Sequence, residues 1–153
     1  MTPDELGTFP VKTISCQSWD GRNVRLTDSF TFSRPKRVGG EAITFLPRSE
    51  SDGASVPRAI ELLGLTHDGV VWPAAVGHDA MYRGYVLVNG VRTLVTKEKA
   101  DLVFYEMCRA NGMADLLARE YYNGVAEAGG HAFTEDRAAL AASEDGRRRD
   151  VSG

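Results

Sequence analysis

Apolar and polar residues alternate with a period of two through the first third of the chain, the signature of strands. Val11 to Ser18 is rich in β-branched residues, Asp20-Gly21 is a tight-turn signal, and Asn23 to Leu26 can return beside it. Ser29 to Ser33 alternates strictly, which sets Phe30 and Phe32 on one face. Arg34-Pro35-Lys36-Arg37 breaks that strand and exposes positive charge. Glu41 to Leu46 reads as a further strand, stopped by Pro47. These segments predict a small, mostly antiparallel sheet.

The pattern then changes. Residues 47 to 59 are loop-like, and Pro57 can open a short helix to about Gly64. A central helix is expected from Pro73 to about Arg83. Val86 to Val95 places two β-prone arms around Asn89-Gly90, which suits a type I′ turn. Thr96 can cap a helix from Lys97 to about Asn111, stopped by Gly112. Its apolar residues Ala100, Val103, Phe104, Met107 and Cys108 fall at three- and four-residue steps. The next helix, Ala114 to Ala128, should bury Leu117, Tyr121 and Val125 before Gly129-Gly130 ends it. The remainder, rich in Ala, Asp, Glu and Arg, can hold one short helix before Gly146. Arg147-Arg148-Arg149 reads as a solvated end, or as a contact for a partner or phosphate. The fold class is therefore α+β: a small N-terminal antiparallel sheet followed by a three-helix bundle with an inserted β-hairpin. Residues 1–133 form one domain, and 134–153 a charged, flexible tail.

Composition narrows the classes. The 153 residues are 42% hydrophobic and 25% charged, enough for one core without staples. A net charge of −3 gives no electrostatic case for nucleic-acid binding. Cys16 and Cys108 fit neither a metal spacing nor a disulfide framework. No apolar run reaches the roughly 20 residues that span a bilayer, and the acidic start lacks the apolar region of a secretory signal. A cytoplasmic protein is expected.

Candidate chemistry gathers around Gly77-His78-Asp79-Ala80-Met81-Tyr82. His78 and Tyr82 are four apart and share a helix face, while Asp79 is rotated from His78 by about 100°. Gly77 removes a side chain and suggests a close approach. If the two helices pack antiparallel across the hairpin, Asp101 returns to the level of His78. There it can bond one ring nitrogen and leave the other as a base. The alternative for Asp101 is an aspartate early in its helix, stabilised by the helix dipole. Asp52 can join Asp79 as a hard oxygen ligand for a divalent ion, and Ser55 can act as a nucleophile beside His78. Equally, Asp52 and Ser55 can cap the helix that starts near Pro57. His67 and His131 are too scattered for a zinc site.

Several motifs occur in a definite order: Asp-Gly-Ala-Ser-Val-Pro-Arg (52–58), Ala-Ala-Val-Gly-His-Asp-Ala-Met-Tyr (74–82), Lys-Ala-Asp-Leu-Val-Phe (99–104), then Met107 to Gly112. Over about residues 42–132 this order resembles an uncharacterised domain family common in tailed bacteriophages and prophages. The resemblance implies phage association, with synthesis in the host cytoplasm and a possible place in the virion among other phage structural proteins.

A narrower resemblance covers His78-Asp79-x-x-Tyr82-Arg83 and Asp101 to Met107. It is similar to the two-helix core of bacterial secreted phospholipases of the A-two type. That resemblance implies that His78 activates water, Asp101 orients it, Tyr82 supports the pair and Asp79 binds Ca2+. The substrate implied is a lipid or other ester. Those enzymes are disulfide-bonded, and no cysteine stands beside His78; their glycine-rich calcium loop is not recognisable here, and Gly39-Gly40 or Asp52-Gly53 can substitute for it. Three readings follow: a metal-assisted hydrolase site, a non-catalytic virion or assembly component whose His-Asp cluster is a structural polar network, or a small host-directed binding protein with the charged tail as its contact.

Overall fold

The computed structural model describes residues 3–8, 16–18, 24–26, 28–47 and 71–152. The elements are α1 (Pro3–Leu6), β1 (Cys16–Ser18), β2 (Val24–Leu26), β3 (Phe30–Ser33), β4 (Ala42–Phe45), α2 (Val71–Arg83), β5 (Val86–Val88), β6 (Val91–Thr93), α3 (Lys97–Ala110), α4 (Asp115–Ala128) and α5 (Gly130–Ser152). The fold is α+β: a four-stranded antiparallel sheet and four C-terminal helices. The predicted helix near Pro57, together with Asp52, Ser55 and His67, lies outside the described residues.

The sheet order is β3-β4-β5-β6, with β1 and β2 forming a separate two-stranded sheet. Alternation works as expected. Phe30 and Phe32 on β3, and Ile43 and Phe45 on β4, point into the core, and the Phe30 and Phe45 rings lie 4.7 Å apart. The hairpin turns at Asn89 (φ 49°) and Gly90 (φ 82°), the positive angles that a type I′ turn requires. In sequence it is inserted between α2 and α3, and in space it joins the sheet. Its first arm pairs with β4 (Ile43 opposite Val88), and the Asn89 side chain accepts a bond from the Ala42 amide at 2.8 Å. The hairpin thus supplies half of the sheet and returns the chain to the level of α2.

Helix α3 begins where Thr96 accepts the Lys99 amide, and it buries all five of its predicted apolar positions. Gly77 allows α2 to lie close to it: a methyl group there would meet the Met107 side chain at 3.0 Å and the Phe45 ring at 3.1 Å. Helix α4 departs from expectation. Its fully buried face is Ala118 and Val125, whereas Leu117 is exposed and Tyr121 half-buried.

Two segments read as solvated behave differently. Arg34, expected to be exposed, is buried. Its Nε and Nη2 donate to the two oxygens of buried Glu106 at 2.7 and 3.1 Å, and Nη1 donates to Glu41 at 2.7 Å. This fork ties the end of β3 to α3. The segment expected to be a loose tail is the helix α5, which continues through Gly146. Arg137 explains its attachment. Its guanidinium donates to the carbonyls of Tyr82 (3.1 Å), Met81 (3.0 Å) and Val95, and stacks 4.6 Å over Phe133. A cation on the last carbonyls of α2 satisfies unpaired acceptors and complements the helix dipole. Tyr85 adds a hydrogen bond to Glu144 at 2.8 Å.

Deleting residues 134–153 is therefore expected to cost at least about 2 kcal/mol, the scale of a charged hydrogen-bond set. A loose tail would cost nothing. Thermal unfolding of the shortened chain distinguishes the two.

Candidate functional site

The site is built by α2 and α3. Three side chains converge on one carboxylate. His78 Nε2 lies 2.7 Å from Asp101 Oδ1, the Tyr82 hydroxyl donates to the same oxygen at 2.6 Å, and Lys97 Nζ donates to Oδ2 at 2.7 Å. The helical period places His78 and Tyr82 on one face, and antiparallel packing of α2 and α3 brings Asp101 opposite them. Lys97 comes from the first turn of α3, four residues before Asp101. It also reaches the last turn of α4, 3.1 Å from the Ala126 carbonyl. The carboxylate therefore links three helices.

The cluster is enclosed. His78 and Tyr82 are 0% exposed and Asp101 2%. The His78 ring packs against Tyr82 (4.2 Å) and Phe104 (5.1 Å), and Phe133 of α5 meets the Tyr82 ring edge-on at 5.2 Å. Burial alone would push the Asp101 carboxyl upward. Hydrogen bonds from His78, Lys97 and Tyr82 outweigh it and hold the group below the usual carboxylate range. Tyr82 is pushed the other way, by burial and by bonding to Asp101, so it remains a phenol. With Asp101 ionised, His78 Nε2 must be the donor, and in the neutral ring Nδ1 is then an acceptor. Nδ1 is buried and has no hydrogen-bond partner among the described residues. An anchored, oriented imidazole with one unpartnered nitrogen has the form of a base dyad.

Asp79 faces away from this cluster, as its rotation on the helix requires. Arg83, four residues on, donates through Nε to Asp79 Oδ1 at 3.1 Å and lies 2.9 Å from Oδ2. A guanidinium thus occupies the oxygens that a calcium ion would need. Among the described residues no group of three or more His, Cys, Asp or Glu side chains could hold a metal. The described residues do not by themselves fit calcium. His131 is an exposed partner of Glu135, remote in kind from the cluster. The Cys108 thiol is buried and pushed up to about 12 by that burial, so it stays protonated.

Sequence reasoning missed Lys97 and Arg137. Lys97 carried a usable signal, the four-residue spacing to Asp101 within one helix. Arg137 carried none, because its acceptors are backbone carbonyls 42 to 56 residues away.

With this geometry in view, comparison with known proteins defines the class. Residues 24–125 match the family described as "Protein of unknown function (DUF1353)". That is about two thirds of the chain, and the chain belongs to this family. The matched span includes His78, Tyr82, Lys97 and Asp101, and agrees with the expectation of an uncharacterised family. No curated protein and no solved structure matches the chain. No helix among the described residues is long and apolar enough to cross a membrane.

Two outcomes test the cluster as a folding element. Asp101→Asn removes the charge that Lys97, Tyr82 and His78 share and should cost about 3 kcal/mol at neutral pH. Because the folded carboxyl lies below its unfolded value near 4, its contribution is complete above that value. It is lost as pH falls through the depressed folded value. Urea unfolding between pH 7 and 3 should show a steeper acid loss in the wild type than in Asp101→Asn. Gly129 supplies the second test. A methyl group there would sit 2.5 Å from both the Tyr82 hydroxyl and the Val125 carbonyl. Gly129→Ala should cost about 1–3 kcal/mol by overpacking, measured by the same unfolding experiment.

Proposed function

We propose that this protein is a phage-associated hydrolase in which His78 and Asp101 act as a base dyad on a lipid or other ester. The observation that carries the reading is the contrast between the two ring nitrogens: Nε2 held by Asp101, Nδ1 buried and without a hydrogen-bond partner among the described residues. In this reading Nδ1 takes a proton from water as the water oxygen attacks the ester carbonyl. The C–O bond to the leaving alcohol then breaks, and the imidazolium returns its proton to the departing oxygen. Asp101 keeps the ring in the required tautomer and stabilises the transient positive charge. Tyr82 and Lys97 hold Asp101 in place. The phage association rests on the ordered motifs, and Ser55 and Asp52 remain candidate partners from the segment before α2. Calcium at Asp79 belongs to this reading only if Arg83 gives way.

A second reading is favoured by one observation, the complete burial of His78. It makes the protein a non-catalytic virion or assembly component, with the cluster as a polar clamp.

His78→Gln separates the two. The glutamine amide can still donate to Asp101 but offers no basic nitrogen. The full chain and this variant would be assayed on phospholipid vesicles and p-nitrophenyl esters, with and without added Ca2+. The expected result is turnover by the wild type and a loss of about 100-fold or more in a variant that unfolds as a folded protein does. A wild type that hydrolyses none of these, or a variant as active as wild type, overturns the hydrolase and leaves the clamp. Finding the chain in purified particles would then support the assembly role.

A further inference from the structure

A second site lies away from the His-Asp cluster, on the outer side of α3 and α4. Two cavities, of about 490 and 460 Å³, share Arg37, Tyr105 and Arg119 in their walls. They are two arms of one cleft, and each falls in the volume range of small-ligand sites. None of His78, Tyr82, Lys97 or Asp101 lines either arm.

The two arms differ in charge. In the larger, Asp115 is already engaged. It accepts the Tyr105 hydroxyl, lies 2.9 Å from Arg119 Nε and 3.7 Å from Arg109 Nε. The bond from Tyr105 and the neighbouring guanidinium groups hold its carboxyl below the usual range. Glu106, in the same wall, is neutralised by Arg34. The smaller arm is lined by Arg37, Leu102, Tyr105, Arg119, Tyr122 and Asn123, with no carboxylate among these lining residues; Arg119 is paired with Asp115 beside it, and Arg37 forms none of the described ion pairs. Arg37 gives one Nη1 hydrogen to the Glu5 carbonyl, and Arg119 gives its Nε hydrogen to Asp115. A guanidinium has five N–H donors, so both groups retain donors for a ligand. Between them Tyr105 and Tyr122 stand edge to face, centroids 6.2 Å apart, beside a part-exposed Leu102. Such a corner takes a further flat ring, and a guanidinium pairs with a carboxylate or phosphate through two parallel hydrogen bonds.

We propose that this arm binds a small organic anion, a planar ring carrying a phosphate or carboxylate. The ring packs on Tyr105, Tyr122 and Leu102, and the anion sits between Arg37 and Arg119. This site is independent of the hydrolase reading and stands or falls without it.

The test is calorimetric titration of the full chain with phenyl phosphate, and with inorganic phosphate and phenol as its two halves. Phenyl phosphate should bind with a Kd of about 1 mM or tighter, and at least about tenfold more tightly than either half. The Arg37→Gln/Arg119→Gln double variant should lose that binding while keeping its melting temperature, since both side chains lie at the surface. In the wild type, amide NMR shifts on titration should map to Leu102, Tyr122 and Asn123, a readout that needs no variant. No binding at millimolar concentration overturns the proposal. So does binding matched by either half alone, a folded double variant that binds as wild type, or shifts that map elsewhere.

Discussion

The carboxylate of Asp101 is the point on which the helical half of this protein turns. A charge buried in that interior is costly unless it is paired and hydrogen-bonded. Here the compensation arrives from two helices at once: His78 and Tyr82 from α2, Lys97 from α3 itself. Lys97 then passes the connection on to the carbonyls at the end of α4. One anion therefore sets the register of α2 against α3 and the approach of α4. An apolar residue at position 101 could fill the volume but would specify none of these directions. The close approach that makes the bonds possible depends on the absence of side chains at Gly77 and Gly129.

Two further cations, buried Arg34 and half-buried Arg137, repeat this logic at the edges. Arg34 binds Glu106 through a two-pronged fork and so joins the sheet to α3. Arg137 closes the C-terminal end of α2 and reaches Val95, just before α3 begins. In each case a charge that local sequence would leave in water is drawn inside by acceptors distant along the chain. Removing one partner leaves the other buried and uncompensated, which is where such pairs make their largest difference to stability.

That distinction explains what the sequence made legible. Alternation in β3 and β4, the Asn89-Gly90 turn, the Thr96 cap and the apolar stripe of α3 are local properties, and each is realised in the fold. The convergence of His78, Tyr82 and Asp101 was legible for a similar reason: a four-residue spacing on one helix and a short hairpin to the next leave few arrangements. The burial of Arg34 was not legible, because Glu106 lies 72 residues away. The attachment of α5 was hidden in the same way, in an arginine that reads as solvent-facing until its backbone acceptors are placed. Leu117 misled because α4 turns a narrow face of Ala118 and Val125 inward, and the more apolar residues beside them stay outside.

The second nitrogen of His78 is the part that structure alone does not require. Tyr82 and Lys97 already give Asp101 a neutral and a charged donor, so a clamp could be completed by one more donor of any kind. A histidine instead leaves Nδ1 buried without a hydrogen-bond partner among the described residues; a buried group left unsatisfied costs about 1–3 kcal/mol. A side chain chosen only for stability has reason to avoid that cost. In the base reading proposed above, that same lone pair is the one that would take a proton from water. Phe104 and Phe133 enclose the His78–Tyr82 pair, so under that proposal their packing has to loosen before a reactant reaches the ring. Phe133 lies on α5, next to the turn of helix that Arg137 anchors. The contacts that stabilise the network on that side are thus the ones whose opening would admit a reactant.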